Sequence, residues 1–210
     1  MKKVFIIAAA ILLVTGSVFI WKFASDGNQS TTAQDTQSNS EVSTVQKEFE
    51  AYKGEEYDRM FVANMIAHHQ GAIDMANIAL TNAKHPELKE LAQKIVTDQN
   101  AEISNLLKWQ KDWGYPATSG DQMVDHSAMV MSEDMATMTE QLKGLNGDDF
   151  DKKFINSMIE HHQSAIDMAK PGLTNAYHKE VRSLSVAIVN AQGDEIKQMK
   201  QWQKDWGYSN

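Results

Sequence analysis

Residues 61–76 read FVANMIAHHQGAIDMA, and residues 154–169 read FINSMIEHHQSAIDMA. The two stretches match at 11 of 16 positions with an offset of 93, which also superposes WQKDWGY at 109–115 on 202–208. A repeat at a fixed spacing is typical of duplicated architecture. The chain is therefore predicted to contain one structural unit twice, and each copy holds a His-His pair flanked by methionines.

Both copies lie in segments with the periodicity of amphipathic helices, because apolar residues recur at three and four positions. Pro171-Gly172 should end or kink the second His-His helix. Each repeat, about 55–115 and 148–208, is then a helix hairpin, and two hairpins form an all-α four-helix bundle. Helices are predicted near 56–82, 86–112, 122–143, 148–170 and 179–205, with a shorter one near 41–53.

The N-terminal end is predicted to be a membrane segment. Lys2 and Lys3 precede an apolar run from Val4 to Trp21, which is about long enough to cross a bilayer as a helix. Because the run is long and lacks a good cleavage site, we expect residues 1–24 to form an uncleaved transmembrane helix rather than a cleaved signal. The charges before the run predict an extracytoplasmic, membrane-anchored protein, or a secreted one if the segment is cleaved.

The composition limits the class of protein. Residues 25–48 are predicted to be a disordered linker because their first part is nearly free of apolar side chains, and 49–210 the bundle domain. The formal net charge of −8 argues against nucleic-acid binding. The chain has no cysteine, so a metal site must use histidine, methionine, carboxylate, amide or backbone groups.

Helical geometry turns the paired histidines toward the bundle interior. At ~100° per residue, His69 falls in the apolar stripe of its helix and His68 at the stripe's edge, and His161 and His162 repeat this pattern. The helix after each turn also has an apolar stripe that a glutamine and a glutamate interrupt, namely Gln99 and Glu102, then Gln192 and Glu195.

A buried carboxylate must be paired, protonated or bound to metal. Glu102 and Glu195 are therefore predicted to face the imidazoles across each hairpin and to be candidate metal ligands. A purely structural layer of Glu–His hydrogen bonds would also explain the pattern without any ligand. The methionines at −3 and +7 from the first imidazole of each pair favour a metal, although methionine alone is a common core residue.

The connector at 123–138, MVDHSAMVMSEDMATM, is rich in methionine. His126 and Met129 lie on one side of this predicted helix, which fits either an exposed auxiliary metal site or a solvated face. The opposite face is predicted to be core and contains Val124, Met131, Met135, Met138 and Leu142. In the repeated WQKDWGY, the tryptophans are predicted to be packing anchors at the bundle end.

The motif M-I-x-H-H-Q-x-A-I-x-M-A, followed by H-x-E, Q-x-x-E-I and W, resembles the bacterial DUF305 family over about residues 55–206. The resemblance implies a ferritin-like helical bundle in secreted or membrane-attached proteins, some of which bind copper or silver. The metal ligands that it implies are Met65, His68, His69, Met75, Met158, His161, His162 and Met168.

Three functions stay open at this point. We favour an extracytoplasmic protein, not an enzyme, that sequesters or delivers Cu(I), with Ag(I) as a second ion, because thioether and imidazole suit soft ions. It would act with a delivery partner that the sequence does not identify. The second function is a ferritin-like oxidase with iron bound by His and Glu, although the expected Glu-x-x-His pattern is absent. The third is a non-metal interaction module with an inert polar core.

Overall fold

The computed structural model describes residues 42–116 and 126–208, with side chains for 42–116 and 133–208. This part of the chain is helical and contains no strand, which confirms the all-α prediction. Its seven helices are α1 (Thr44–Ala51), α2 (Glu55–Asn82), α3 (Pro86–Asp112), α4 (His126–Glu140), α5 (Gly147–Ala169), α6 (Gly172–Asn175) and α7 (Lys179–Asp205). The bounds of α2, α3, α5 and α7 agree with the prediction to within one residue at each end, whereas α4 ends three residues before the predicted 143.

The N-terminal prediction lies almost wholly outside the described residues. These residues begin at 42, so the segment predicted to cross the membrane is not among them. No described helix is both long enough and apolar enough to span a bilayer. Helix α1 starts inside the predicted 25–48 linker, because Ser43 accepts a hydrogen bond from Gln46 N at 3.0 Å and Phe49 is buried.

The long helices form two hairpins. Helix α2 packs along α3, α5 packs along α7, and α2 contacts α5, so the two His-His helices join the hairpins into a helical bundle. The apolar core consists of two clusters, and each contains residues from both repeats. The duplication in sequence is therefore a duplication in structure, with the polar pairs of each repeat near those of the other.

The hairpins are also linked crosswise at their ends. Gly54 pairs with Ala176, and Ala83 pairs with Gly147, as isolated parallel bridges whose members are exchanged by the offset of 93. Gly54 and Gly147 have φ of 63° and 62°, a conformation that favours glycine over residues with a side chain. The start of each His-His helix is thus fastened to the turn of the other hairpin.

Helix α5 ends earlier than its counterpart α2, as predicted from Pro171-Gly172. Proline lacks the amide hydrogen that would continue the helix, so α5 stops at Ala169 and the short α6 follows. A side chain at Gly172 would collide with the hydroxyls of Tyr57 and Ser185. The Tyr57 hydroxyl instead donates a hydrogen bond to the Met168 carbonyl oxygen at 2.9 Å. This contact joins the C-terminal end of α5 to the first repeat.

Helix α4 packs against α2, and the shorter α1 packs against α5. Met135 and Leu142 are buried and Met138 packs on the same core, which confirms their predicted face. A Cβ at Gly71 would lie 2.6 Å from Met135 Cβ, so α4 can lie this close only to a glycine. The side chains of Val124, His126, Met129 and Met131 lie outside the described residues.

Candidate metal centre

Four imidazoles from α2 and α5 form a layer inside the bundle. His68, His69, His161 and His162 are all fully buried, as the helical geometry predicts. The rings of His68 and His161 meet with centroids 3.7 Å apart, and His161 Nε2 donates to the His68 carbonyl oxygen at 3.0 Å. The rings within each pair are 6.3 Å and 6.1 Å apart, so the two repeats meet at the inner histidines.

A glutamate lies at each end of this layer. His69 Nε2 is 2.7 Å from Glu102 Oε2, and His162 Nε2 is 2.8 Å from Glu195 Oε2. The predicted pairing across each hairpin is therefore present. The four imidazoles and two carboxylates, which we call the imidazole layer, form a continuous line from Glu102 to Glu195.

Most ring nitrogens of the layer have no hydrogen-bond partner. In the described part of the chain, this holds for both nitrogens of His68 and for Nδ1 of His69, His161 and His162, five of the eight, whereas His69 Nε2 forms the ion pair with Glu102. Each buried polar atom without a partner costs about 1–3 kcal/mol. Folded proteins rarely leave such atoms unpaired, so this concentration calls for a ligand or a compensating role.

The inner imidazoles are neutral near pH 7. Burial, followed by the neighbouring imidazoles, holds the pKa of His68 and His161 well below the ordinary histidine value. A neutral imidazole has a free lone pair and is the form that binds metal. His68 and His161 thus each present one ring nitrogen with a free lone pair.

A cleft of about 250 Å³ between α3 and α7 leads from solvent to the outer part of the layer. The two glutamines of the apolar stripes are buried there, and Gln99 Oε1 and Gln192 Oε1 have no partner among the described residues. The cleft is lined by Lys94, Ile95, Asp98, Gln99, Ala101, Glu102, Ile188, Ala191, Gln192 and Glu195.

The four predicted methionine ligands are fully buried in the two apolar clusters. Met65 and Met168 lie in one cluster, and Met75 and Met158 in the other, so each cluster takes one methionine from each repeat. These positions fit core packing, and their predicted role as ligands stays a prediction.

The layer is a line of contacts rather than a compact cluster. Among the described residues, no three His, Asp or Glu side chains are grouped so as to hold one metal ion. An ion bound here would therefore have two layer residues as neighbours, with any further ligand from outside this set. Imidazole is a ligand that copper accepts, and a site with two protein ligands differs from the carboxylate-rich iron centre of ferritin-like bundles.

Two further histidines form contacts that the sequence analysis missed. His178 Nδ1 lies 2.7 Å from the buried Asp58 carboxylate, which also accepts the backbone amides of Tyr177 and His178, and Trp113 stacks on the ring at 3.7 Å. We call this arrangement, and its equivalent in the other repeat, the His–Asp–Trp clasp.

The second clasp has the same geometry. His85 Nδ1 lies 2.6 Å from Asp151, and Trp206 stacks on the ring at 3.7 Å. Each clasp joins a histidine of one repeat to an aspartate of the other, which explains the repeated tryptophan. The signal was present in GEEYD at 54–58 and GDDFD at 147–151, which the offset of 93 aligns.

Comparison with known proteins agrees with this architecture. The profile of the family described as "Domain of unknown function (DUF305)" matches residues 58–203. A search of curated proteins found no match. The family profile spans more than half of the chain.

Several solved structures are similar. CopM in the Cu(I)-bound form is 39% identical, covers 71% of this chain and 96% of its own, and has a TM-score of 0.57. CopM in the Ag-bound form is 38% identical with the same coverages and a TM-score of 0.59. A putative secreted DUF305 protein from Streptomyces coelicolor is 24% identical and covers 71% of this chain and 93% of its own. Its TM-score of 0.62 supports the fold. The chain therefore belongs to the DUF305 family.

Proposed function

We propose that this protein binds copper, with Cu(I) favoured and Ag(I) as a second soft ion, in the imidazole layer. The observation that carries the proposal is the set of five buried ring nitrogens that have no partner among the described residues. A layer that served only to set helix register would pair its polar atoms, because each unpaired one destabilises the fold. A bound ion would use these nitrogens.

The chemistry of the layer suits copper. The inner imidazoles are neutral, carboxylates stand at both ends, and the chain has no thiolate. Thioethers of the flanking clusters are further soft donors for Cu(I). The similarity to CopM, whose solved structures include Cu(I)-, Cu(II)- and Ag-bound forms at 38–39% identity, supports the same assignment.

The proposed ligands are the imidazoles with Glu102 and Glu195, and the methionines as additional donors. We place this activity outside the cytoplasm, with the N-terminal segment as a membrane anchor, because positive charges precede the apolar run. The role would be to sequester copper or to pass it to a partner protein. Iron oxidation finds no support, since the described residues lack a group of three His, Asp or Glu at one point.

The experiment is a competition titration of the purified full chain with Cu(I) against a chromophoric chelator under reducing conditions. The test variant is H69Q/H162Q, which removes the two imidazoles that pair with Glu102 and Glu195 and leaves each glutamate a side-chain amide as a donor. We expect its Cu(I) affinity to fall by at least about tenfold, the size of one lost ligand interaction. The control H85Q removes an imidazole outside the layer and should bind like the wild type. Equal Cu(I) affinity in H69Q/H162Q and the wild type would refute the proposal.

A further inference from the structure

The two His–Glu pairs have equivalent partners but different surroundings. Both oxygens of Glu195 are engaged, since Oε2 lies 2.8 Å from His162 Nε2 and Oε1 accepts a hydrogen bond from Lys94 Nζ at 2.8 Å. Lys94 belongs to α3 of the other hairpin, and its Nζ also donates to Asp98 at 2.8 Å. One ammonium group thus bridges the cleft that leads to the layer.

The first repeat supplies this ammonium, and the second repeat has no equivalent. The offset of 93 aligns Lys94 with Ala187 and Asp98 with Ala191. An alanine cannot reach across the cleft, so the twofold relation of the hairpins is broken at this point. The glutamate that would receive the equivalent contact is Glu102.

Glu102 is consequently the more open carboxylate. Within the described residues, His69 is the one basic side chain at ion-pair distance from it. The Glu102 side chain is 24% exposed, against 11% for Glu195. A cation entering from the cleft meets a carboxylate that pairs with one imidazole on one side, and a carboxylate that pairs with both an imidazole and an ammonium on the other.

We infer that Lys94 makes the two halves of the layer inequivalent, because its ammonium group occupies the position beside Glu195 that a metal ion would take. The first copper ion binds at His69–Glu102, and the His162–Glu195 half accepts an ion only after the ammonium has moved away. This inference rests on the proposed copper binding and adds the order in which the halves fill. The Lys94 side chain is 55% exposed, so it can swing into solvent, and the competition is modest.

The test is the same Cu(I) competition titration of the full chain, resolved into two steps. The variant K94A gives position 94 the residue found at Ala187. We expect it to strengthen the weaker step by about two- to fivefold, the size of a partly exposed ion pair, and to leave the tighter step unchanged. K108A removes the same charge from an exposed pair with Asp112 and should change neither step.

Two further variants locate the steps. E102Q should weaken the tighter step and E195Q should leave it intact, whereas A187K/A191D, which transfers the Lys–Asp pair to the second repeat, should weaken the tighter step.

A weaker step that is the same in K94A and the wild type would overturn the inference, as would loss of the tighter step in E195Q. Absence of Cu(I) binding by the wild type would instead refute the proposed function, so the two failures are distinct.

Discussion

The substitution H68L tests whether the imidazole layer lowers the stability of the metal-free protein. His68 is fully buried and neither of its ring nitrogens has a partner among the described residues. Two unpaired polar atoms cost about 1–3 kcal/mol each. A hydrophobic replacement of similar size costs up to about 1.5 kcal/mol in imperfect packing. The backbone oxygen that accepts from His161 is kept, so we expect H68L to raise the free energy of unfolding by about 1–3 kcal/mol.

The assay is urea unfolding of the metal-free full chain in the presence of a chelator, with the midpoint and slope compared between variants. The matched control is H85L, because His85 has a partner in Asp151 and a stacked Trp206. We expect H85L to lose about 1–3 kcal/mol, since it leaves a buried carboxylate with one donor fewer. If H68L loses stability as H85L does, the layer is structural and the reasoning from unpaired nitrogens is wrong.

Three other predictions follow from the packing and charges of the bundle. G71A should lower the free energy of unfolding by about 1–3 kcal/mol in thermal or urea unfolding, because the added Cβ would collide with Met135. G193A should raise it by about 0.5–1 kcal/mol, because the space around its added Cβ is open and alanine favours the helix. D58A should destabilise by about 2–4 kcal/mol in urea, since the carboxylate accepts three hydrogen bonds, and unchanged stability would contradict the clasp. Hydrogen bonds from a lysine and a tyrosine hold the pKa of Asp148 below its usual value. Its contribution to the free energy of unfolding is therefore present above about pH 4 and is lost as the pH falls. We expect the urea midpoint of D148N to drop less than that of the wild type between about pH 6 and pH 3.

The long helices could be predicted because their signals are local. Apolar periodicity sets the stripes, and residues such as Pro86 and Pro171 mark ends that depend only on the neighbouring backbone. The pairing of His69 with Glu102 was also accessible, because a short turn makes consecutive helices antiparallel neighbours.

The crosswise contacts could not be predicted in the same way. Asp58 reaches His178 over 120 residues, and the contact depends on how the two hairpins dock rather than on any periodicity. The Lys94–Glu195 pair has the same origin, because a lysine on a helix face has the sequence signature of an ordinary solvated residue. The methionines remain ambiguous for a physical reason, since a thioether packs in a core as readily as it binds copper.

X-ray absorption spectroscopy at the copper edge of the Cu(I)-loaded full chain tests most directly whether both repeats bind the ion through imidazole. We predict imidazole nitrogen scattering in the wild type that is strongly reduced in H69Q/H162Q. A first shell made only of sulfur, or imidazole scattering that is the same in both proteins, would contradict this account.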